Sequence, residues 1–192
     1  MTFPNQITIG RILLIPIFVV LAMYYGQSVA LGAPEERLRI GAIIIFLIAA
    51  LSDAADGWIA RHYKLQSQFG SILDPIADKG LMLTAIITLS VSNWDRSLPV
   101  WFPVLVIARD VIIFTGCLLI RFFNGHLEVH PSFLGKISTF LQMVAIAAVL
   151  LQWHYYSVVV IVAGIFTFLS GVDYILDGIG ILQASGHAHP KA

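Results

Sequence analysis

Six stretches of this chain, at 7–26, 38–60, 74–92, 99–123, 131–153 and 155–183, are long and apolar enough to be read as membrane-crossing helices. A bilayer core takes about 20 apolar residues per helix. In lipid every backbone N–H and C=O has to be paired within its own segment, and a helix does this. The predicted fold is therefore all-α: a polytopic membrane protein with six transmembrane helices, forming one domain over residues 1–192. Charged residues make up only 11% of the chain and hydrophobic ones 58%, whereas soluble domains are about a quarter charged. Water cannot solvate such a surface, so lipid must. Turn chemistry separates the stretches at Gly32-Ala33-Pro34, at Asn93 through Pro99, and at Asn124-Gly125 before His130-Pro131. The last two stretches share a very short link near Gln152 and His154.

The few charges set an orientation. Arg11, Arg61, Lys64, Lys79, Arg121, Lys136 and Lys191 fall on one side of this topology, and Arg37, Arg39 and Arg96 on the other. An excess of Lys and Arg marks the cytoplasmic side, so both termini and the segment from Arg61 to Lys79 are expected there. Arg11 precedes the first apolar run, but no small-residue cleavage site follows and Pro16 interrupts the run, which reads as a retained helix rather than a signal peptide. A net charge of zero, without a basic run, argues against nucleic acid as a partner. Cys117 is the single cysteine, which excludes an internal disulfide.

Against this background four aspartates stand out. Asp53 and Asp56 are three residues apart near the end of the second helix, and Asp74 and Asp78 are four apart in the third. Each spacing puts a pair on one helix face. Gly57 and Ala60 extend the first face with almost no side chain, and Arg61 stands two turns beyond Asp53. Pro75 suits the first turn of a helix opening at Asp74. One aspartate at a helix end is commonly a cap or a solvated residue. Four near one membrane face would repel one another unless protonated or neutralised by cations. Aspartate oxygens suit magnesium, manganese or calcium, and the chain offers no thiolate–imidazole set for zinc. Paired divalent ions on a diphosphate polarise phosphorus and stabilise the leaving group.

The pattern Asp53-x2-Asp56-Gly57-x2-Ala60-Arg61-x8-Gly70-x3-Asp74-x3-Asp78 resembles the signature of the CDP-alcohol phosphotransferases at every fixed position. Pro4-Asn5-x2-Thr8-x2-Arg11 and Pro16 resemble the N-terminus of the phosphatidyltransferase branch, and Gly135-Lys136-x2-Thr139-x2-Gln142 resembles its fifth helix. The resemblance implies a bacterial inner-membrane enzyme, often a homodimer, with a polar active site open to the cytoplasm. It implies attack by an acceptor hydroxyl on the β-phosphorus of CDP-diacylglycerol, releasing CMP. By position, Asp53, Asp56, Asp74 and Asp78 would hold two divalent cations, Mg2+ or Mn2+, and Asp78 would also act as general base. Gly57, Ala60, Arg61 and Gly70 would line the nucleotide-diphosphate site, with Asn5 and Thr8 on the same donor.

Arg109 points to the acceptor. It lies about ten positions into the fourth apolar stretch and is followed by Asp110. An intramembrane arginine is a functional candidate, and its planar fork of donors fits a phosphate. Lys136 could join it. The structural alternative is a pairing of Arg109 with Asp173 or Asp177 of the last helix. A second basic site favours an acceptor bearing phosphate, and within the family that the chain resembles this implies glycerol 3-phosphate, giving phosphatidylglycerol phosphate, ahead of phosphatidylglycerol, giving cardiolipin. Asp110 and Pro131-Ser132 resemble the cardiolipin-forming branch, so both acceptors stay open on residues alone. A cation transporter is the alternative from another class, disfavoured because the aspartates crowd one face and no inverted repeat is visible. Trp94, Trp101, Trp153 and Tyr155 occupy interfacial anchor positions, and His187 and His189 fall in a short polar tail.

Overall fold

The computed structural model describes residues 3–63, 70–124 and 132–186, with side chains over 9–52, 79–119 and 132–180. Among the described residues there are six helices and no strand: α1 (Phe3–Ala30), α2 (Glu36–Tyr63), α3 (Gly70–Val91), α4 (Trp101–Asn124), α5 (Phe133–Leu150) and α6 (Tyr156–Gly186). Four stretches in them are long and apolar enough to cross a membrane: Ile9–Ala30, Trp101–Leu119, Phe133–Leu150 and Tyr156–Gly180. The described apolar part of α3, Lys79–Val91, is shorter. Pro16 lies inside α1, a position membrane helices tolerate because neighbouring groups re-satisfy the freed carbonyl. α3 begins at Gly70 rather than Asp74, so Pro75 lies beyond its first turn, not within it.

Two helix ends use the same closing motif with different residues. At the end of α1, the Ala33 N–H donates to the Ser28 carbonyl (3.0 Å) and the Gly32 N–H to the Val29 carbonyl (2.9 Å), with Gly32 at φ +73°. This is a Schellman cap, which needs a left-handed residue and is often followed by proline, here Pro34. Ser28 finishes the turn, its Oγ accepting the Glu35 N–H at 3.0 Å. At the end of α5 the left-handed residue is Gln152, at φ +52°, with Trp153 N–H on the Ala148 carbonyl and Gln152 N–H on the Val149 carbonyl, both at 2.9 Å. A side chain there costs about 1–2 kcal/mol. Gln152 offsets this cost by donating its Nε2 to the carbonyls of Arg96 (3.2 Å) and Val149 (3.1 Å).

The chain divides into two compact units, Met1–Pro99 with Ile146–Trp153, and Val100–Ala145 with His154–Ala192. In the first, α1 packs on α2 and α3, and α2 on α3. α1 and α2 run antiparallel, since Phe18 meets Phe46 (ring centroids 5.8 Å apart) and Leu21 lies over Gly41. α1 and α3 run parallel, since Ile15 meets Gly80 and Gly26 meets Ser92 and Asn93. Fully buried Ala22, Ala42, Ala49 and Ala85 let the backbones approach, as small residues do between membrane helices. Trp94 closes this packing. Its Nε1 donates to the Ala22 carbonyl at 2.9 Å, its ring meets Tyr25 edge-on at 4.5 Å, and it is 4% exposed. Trp94 is thus a core residue and not the interfacial anchor expected of it: with no side chain on Gly26, the indole reaches the α1 backbone. Trp101, Trp153 and Tyr155 are exposed at helix ends, where anchors belong.

In the second unit α4 packs on α6, with the Trp101 ring lying over Gly164. α5 and α6 are tied by buried hydroxyls and one amide. Thr167 Oγ1 donates to the Ala163 carbonyl (2.7 Å), so Ser138 donates to Thr167 (3.0 Å), and Gln142 Nε2 reaches both Ser138 Oγ (3.2 Å) and Thr167 Oγ1 (3.0 Å). Outward faces stay apolar: Leu13 and Val20 on α1, Leu47 and Leu51 on α2, Val104 and Phe114 on α4, Phe168 and Leu176 on α6. Helices apolar both inside and outside belong in lipid.

The contact at Gly26 gives a direct test of the α1–α3 packing. A Cβ there would lie 3.0 Å from the Asn93 backbone nitrogen and 3.1 Å from Ser92 Cβ, whereas nothing lies within 4 Å of a Cβ at Gly116. Gly26→Ala is expected to destabilise the detergent-solubilised protein by about 1–3 kcal/mol, and Gly116→Ala to leave it unchanged or raise it slightly, as read by the Tm of each.

Candidate active site

The signature residues fall on two helices that touch. Asp53, Asp56, Gly57, Ala60 and Arg61 occupy the last turns of α2, Gly70 is the first residue of α3, and Asp74 and Asp78 follow in its first turns. Asn5 and Thr8 lie near the start of α1, which packs on both. Those three helix ends bring the backbones of all the expected donor and metal residues into one unit. The side chains of all ten lie outside the described residues, so their contacts are not part of the geometry below. The donor set itself fits a hard divalent cation: four carboxylates with no soft ligand among them. Among the described residues no other group of three or more His, Cys, Asp or Glu side chains is assembled that could compete for the role.

Arg109 is described in full. It is 7% exposed on α4 and held from three helices. One terminal nitrogen donates to Asp110 Oδ1 at 2.9 Å, and the other to Ser170 Oγ of α6 at 3.1 Å and to the Gly135 carbonyl of α5 at 3.4 Å. The Tyr174 ring lies 5.9 Å from the guanidinium carbon, within reach of a cation–π contact. Nε is buried and makes no hydrogen bond. Two glycines create the space: a Cβ on Gly135 would sit 3.2 Å from the guanidinium, and one on Gly171 would lie 3.7 Å from Arg109 Cγ. The start of α5 is fixed by the same residues. Ser132 Oγ accepts the Gly135 N–H at 3.0 Å as an N-cap, and the Ser132 N–H donates to Tyr174 Oη at 3.4 Å.

This arrangement corrects the structural alternative drawn from the sequence. The ion-pair partner of Arg109 is Asp110, its neighbour on the same helix, and not Asp173 or Asp177. Asp177 lies two turns past Ser170, about 10 Å further along α6, and is exposed. Asp173 is a turn past Ser170 and makes no ion pair with Arg109. The residues that hold Arg109 from α6 are Ser170, Gly171 and Tyr174, none of which the sequence singled out. Ser170 and Tyr174 are four residues apart, the spacing of one helix face, and that is the only trace they leave in the sequence. Lys136 is exposed one residue beyond the Gly135 carbonyl that Arg109 binds.

Comparison with known proteins bears on both halves. A model of the CDP-alcohol phosphatidyltransferase family matches residues 1–169. A probable phosphatidylglycerophosphate synthase of Mycobacterium tuberculosis is 37% identical over 177 residues, covering 89% of this chain and 78% of that protein. A CDP-diacylglycerol–glycerol-3-phosphate 3-phosphatidyltransferase of Bacillus subtilis is 34% identical over 193 residues, covering 95% of this chain and 97% of its own length. The enzyme of the same name from Salmonella paratyphi A is 32% identical over 186 residues, 93% of this chain and 96% of its own. With the match running from α1 well into α6, and these relatives matched over most of their own length, the chain belongs to the CDP-alcohol phosphatidyltransferase family.

Proposed function

We propose that this chain transfers the phosphatidyl group of CDP-diacylglycerol to glycerol 3-phosphate, giving phosphatidylglycerol phosphate and CMP. The observation that carries the reading is the complete aspartate signature on α2 and α3 of a chain whose near-full-length relatives bear that enzyme's name. The acceptor's free hydroxyl oxygen attacks the β-phosphorus of the donor, the phosphorus–oxygen bond to CMP breaks, and the hydroxyl proton passes to Asp78. Such a carboxylate acts as general base when it lies within hydrogen-bond reach of the hydroxyl. Asp53, Asp56, Asp74 and Asp78 would hold two Mg2+ or Mn2+ ions, which when bound neutralise charge on the diphosphate and the departing CMP.

Gly57 and Ala60 leave room for the nucleotide to approach the α2 backbone, with Arg61 and Gly70 beside the diphosphate and cytidine, and Asn5 and Thr8 on the same donor. Arg109 and Lys136 are assigned to the phosphate of the acceptor. The buried, hydrogen-bond-free Nε of Arg109 supports its part, because a guanidinium with an unused donor retains capacity for an anion. The full reading is of a single-domain protein with six membrane helices in the bacterial inner membrane. Both termini and the active site face the cytoplasm, and it works as a homodimer. The Lys and Arg asymmetry supports the orientation.

Purified protein incubated with CDP-diacylglycerol and Mg2+ or Mn2+ is expected to release CMP with glycerol 3-phosphate and to form phosphatidylglycerol phosphate. Product with phosphatidylglycerol alone would move the acceptor to that lipid, and no CMP with either acceptor would sink the enzyme reading and reopen that of an ion path. Asp78→Asn is expected to lower kcat by about 10²–10⁴-fold, with full retained activity rejecting the general-base role. Arg109→Gln is expected to raise KM for glycerol 3-phosphate well above any change in KM for CDP-diacylglycerol; equal changes in both would detach Arg109 from the acceptor.

A further inference from the structure

Among the described residues Arg11 is a second buried arginine, 1% exposed on α1. The packing of α1 shows what stands level with it. On the α2 side Phe18 meets Phe46 in antiparallel register. Seven residues back from Phe18 is Arg11, and seven residues on from Phe46 is Asp53. Seven residues are two helical turns, which return to nearly the same face. On the α3 side Ile15 meets Gly80 in parallel register. Four residues back from each are Arg11 and Ile76, the latter midway between Asp74 and Asp78. Both registers therefore bring position 11 to the axial level of the carboxylate positions, one on each neighbouring helix.

We infer that Arg11 is a built-in counter-cation of the aspartate set, a fixed positive charge that holds α2 and α3 together before any metal arrives. The inference rests on the reading that those aspartates hold divalent cations, and it adds a residue to that site. A guanidinium withdrawn from water is stabilised by nearby negative charge, and four carboxylates on two touching helices repel unless cations offset them. Each condition answers the other. Arginine suits the role because it stays protonated at any accessible pH and is less strongly hydrated than lysine's ammonium. Its fixed charge also moderates the pull on incoming metal, since like charges nearby oppose cation binding.

The test uses the full-length protein in detergent, with Mn2+ binding followed by electron paramagnetic resonance and stability by thermal unfolding with and without metal. If wild type binds no Mn2+, the metal reading itself fails, independently of Arg11. Given wild-type binding, Arg11→Gln is expected to lower the Tm of the metal-free protein, to bind Mn2+ by roughly threefold or more tightly, and to gain more Tm on adding metal than wild type gains. Arg11→Lys is expected to lie between the two. Unchanged or weaker Mn2+ affinity in Arg11→Gln overturns the inference, because an arginine serving only packing or the donor's diphosphate would give that result. Adding Asp53→Asn to Arg11→Gln is expected to recover part of the lost metal-free Tm. This measurement also decides the matter if the single variant does not fold: a double variant no more stable than the single overturns the counter-cation role.

Discussion

A guanidinium deprived of water inside a lipid-solvated helix bundle has to be neutralised where it stands, and much of this molecule is arranged around that requirement. Arg109 draws hydrogen bonds from α4, α5 and α6, so the relative positions of three helices are set by one cation. Removing Asp110 would leave the buried guanidinium without its ion-pair partner, which destabilises the packing around it. Tight coordination also has a functional side. Ser170, Asp110 and Gly135 fix the plane of the guanidinium, so in the proposed acceptor role its donors would already be oriented, with little side-chain freedom left to remove.

Glycine and alanine make this possible by their lack of bulk. Gly135 and Gly171 admit the arginine, Gly26 admits Trp94, and Gly164 lies under the Trp101 ring. In each case a large side chain on a helix or its connection is received by a small residue on another helix. Lipid supplies no hydrophobic drive for helices to associate, so close packing and hydrogen bonds such as those of Ser138, Gln142 and Thr167 have to supply it. The outward apolar side chains add nothing to this cohesion. They match the solvent.

What could be read from the sequence depended on whether the signal was local. Helix order, the turn at Gly32-Ala33-Pro34 and the short link after α5 are written in composition and turn chemistry, and the structure places them where expected. The aspartate pattern was legible because its spacing is fixed along the chain, and so was the family. Partnerships across helices were not. Charge complementarity suggested Asp173 or Asp177 for Arg109, but reach along the helix decided in favour of the adjacent Asp110, with a hydroxyl and a glycine carbonyl completing the set. Trp94 resembled an anchor because aromatic residues at helix ends usually are. Its burial depends on Gly26, 68 positions earlier in the chain, and no window of sequence contains both. The start of α3 was misplaced because Pro75 is a strong local cue for a first turn, whereas the helix opens at Gly70.

Gln152 bears on how a protein like this could be made hardier. Replacing a left-handed residue at a helix end with glycine relieves the backbone, because glycine carries no Cβ penalty there. Here the same change would also remove the amide that holds the Arg96 carbonyl, a group in the connection between α3 and α4. The backbone would relax while the neighbouring loop lost its tether, so the two effects oppose each other. A rule applied residue by residue would count this as a gain. In this chain the strained cap also serves as a clasp between two turns, and engineering has to keep the glutamine or supply another donor for the loop.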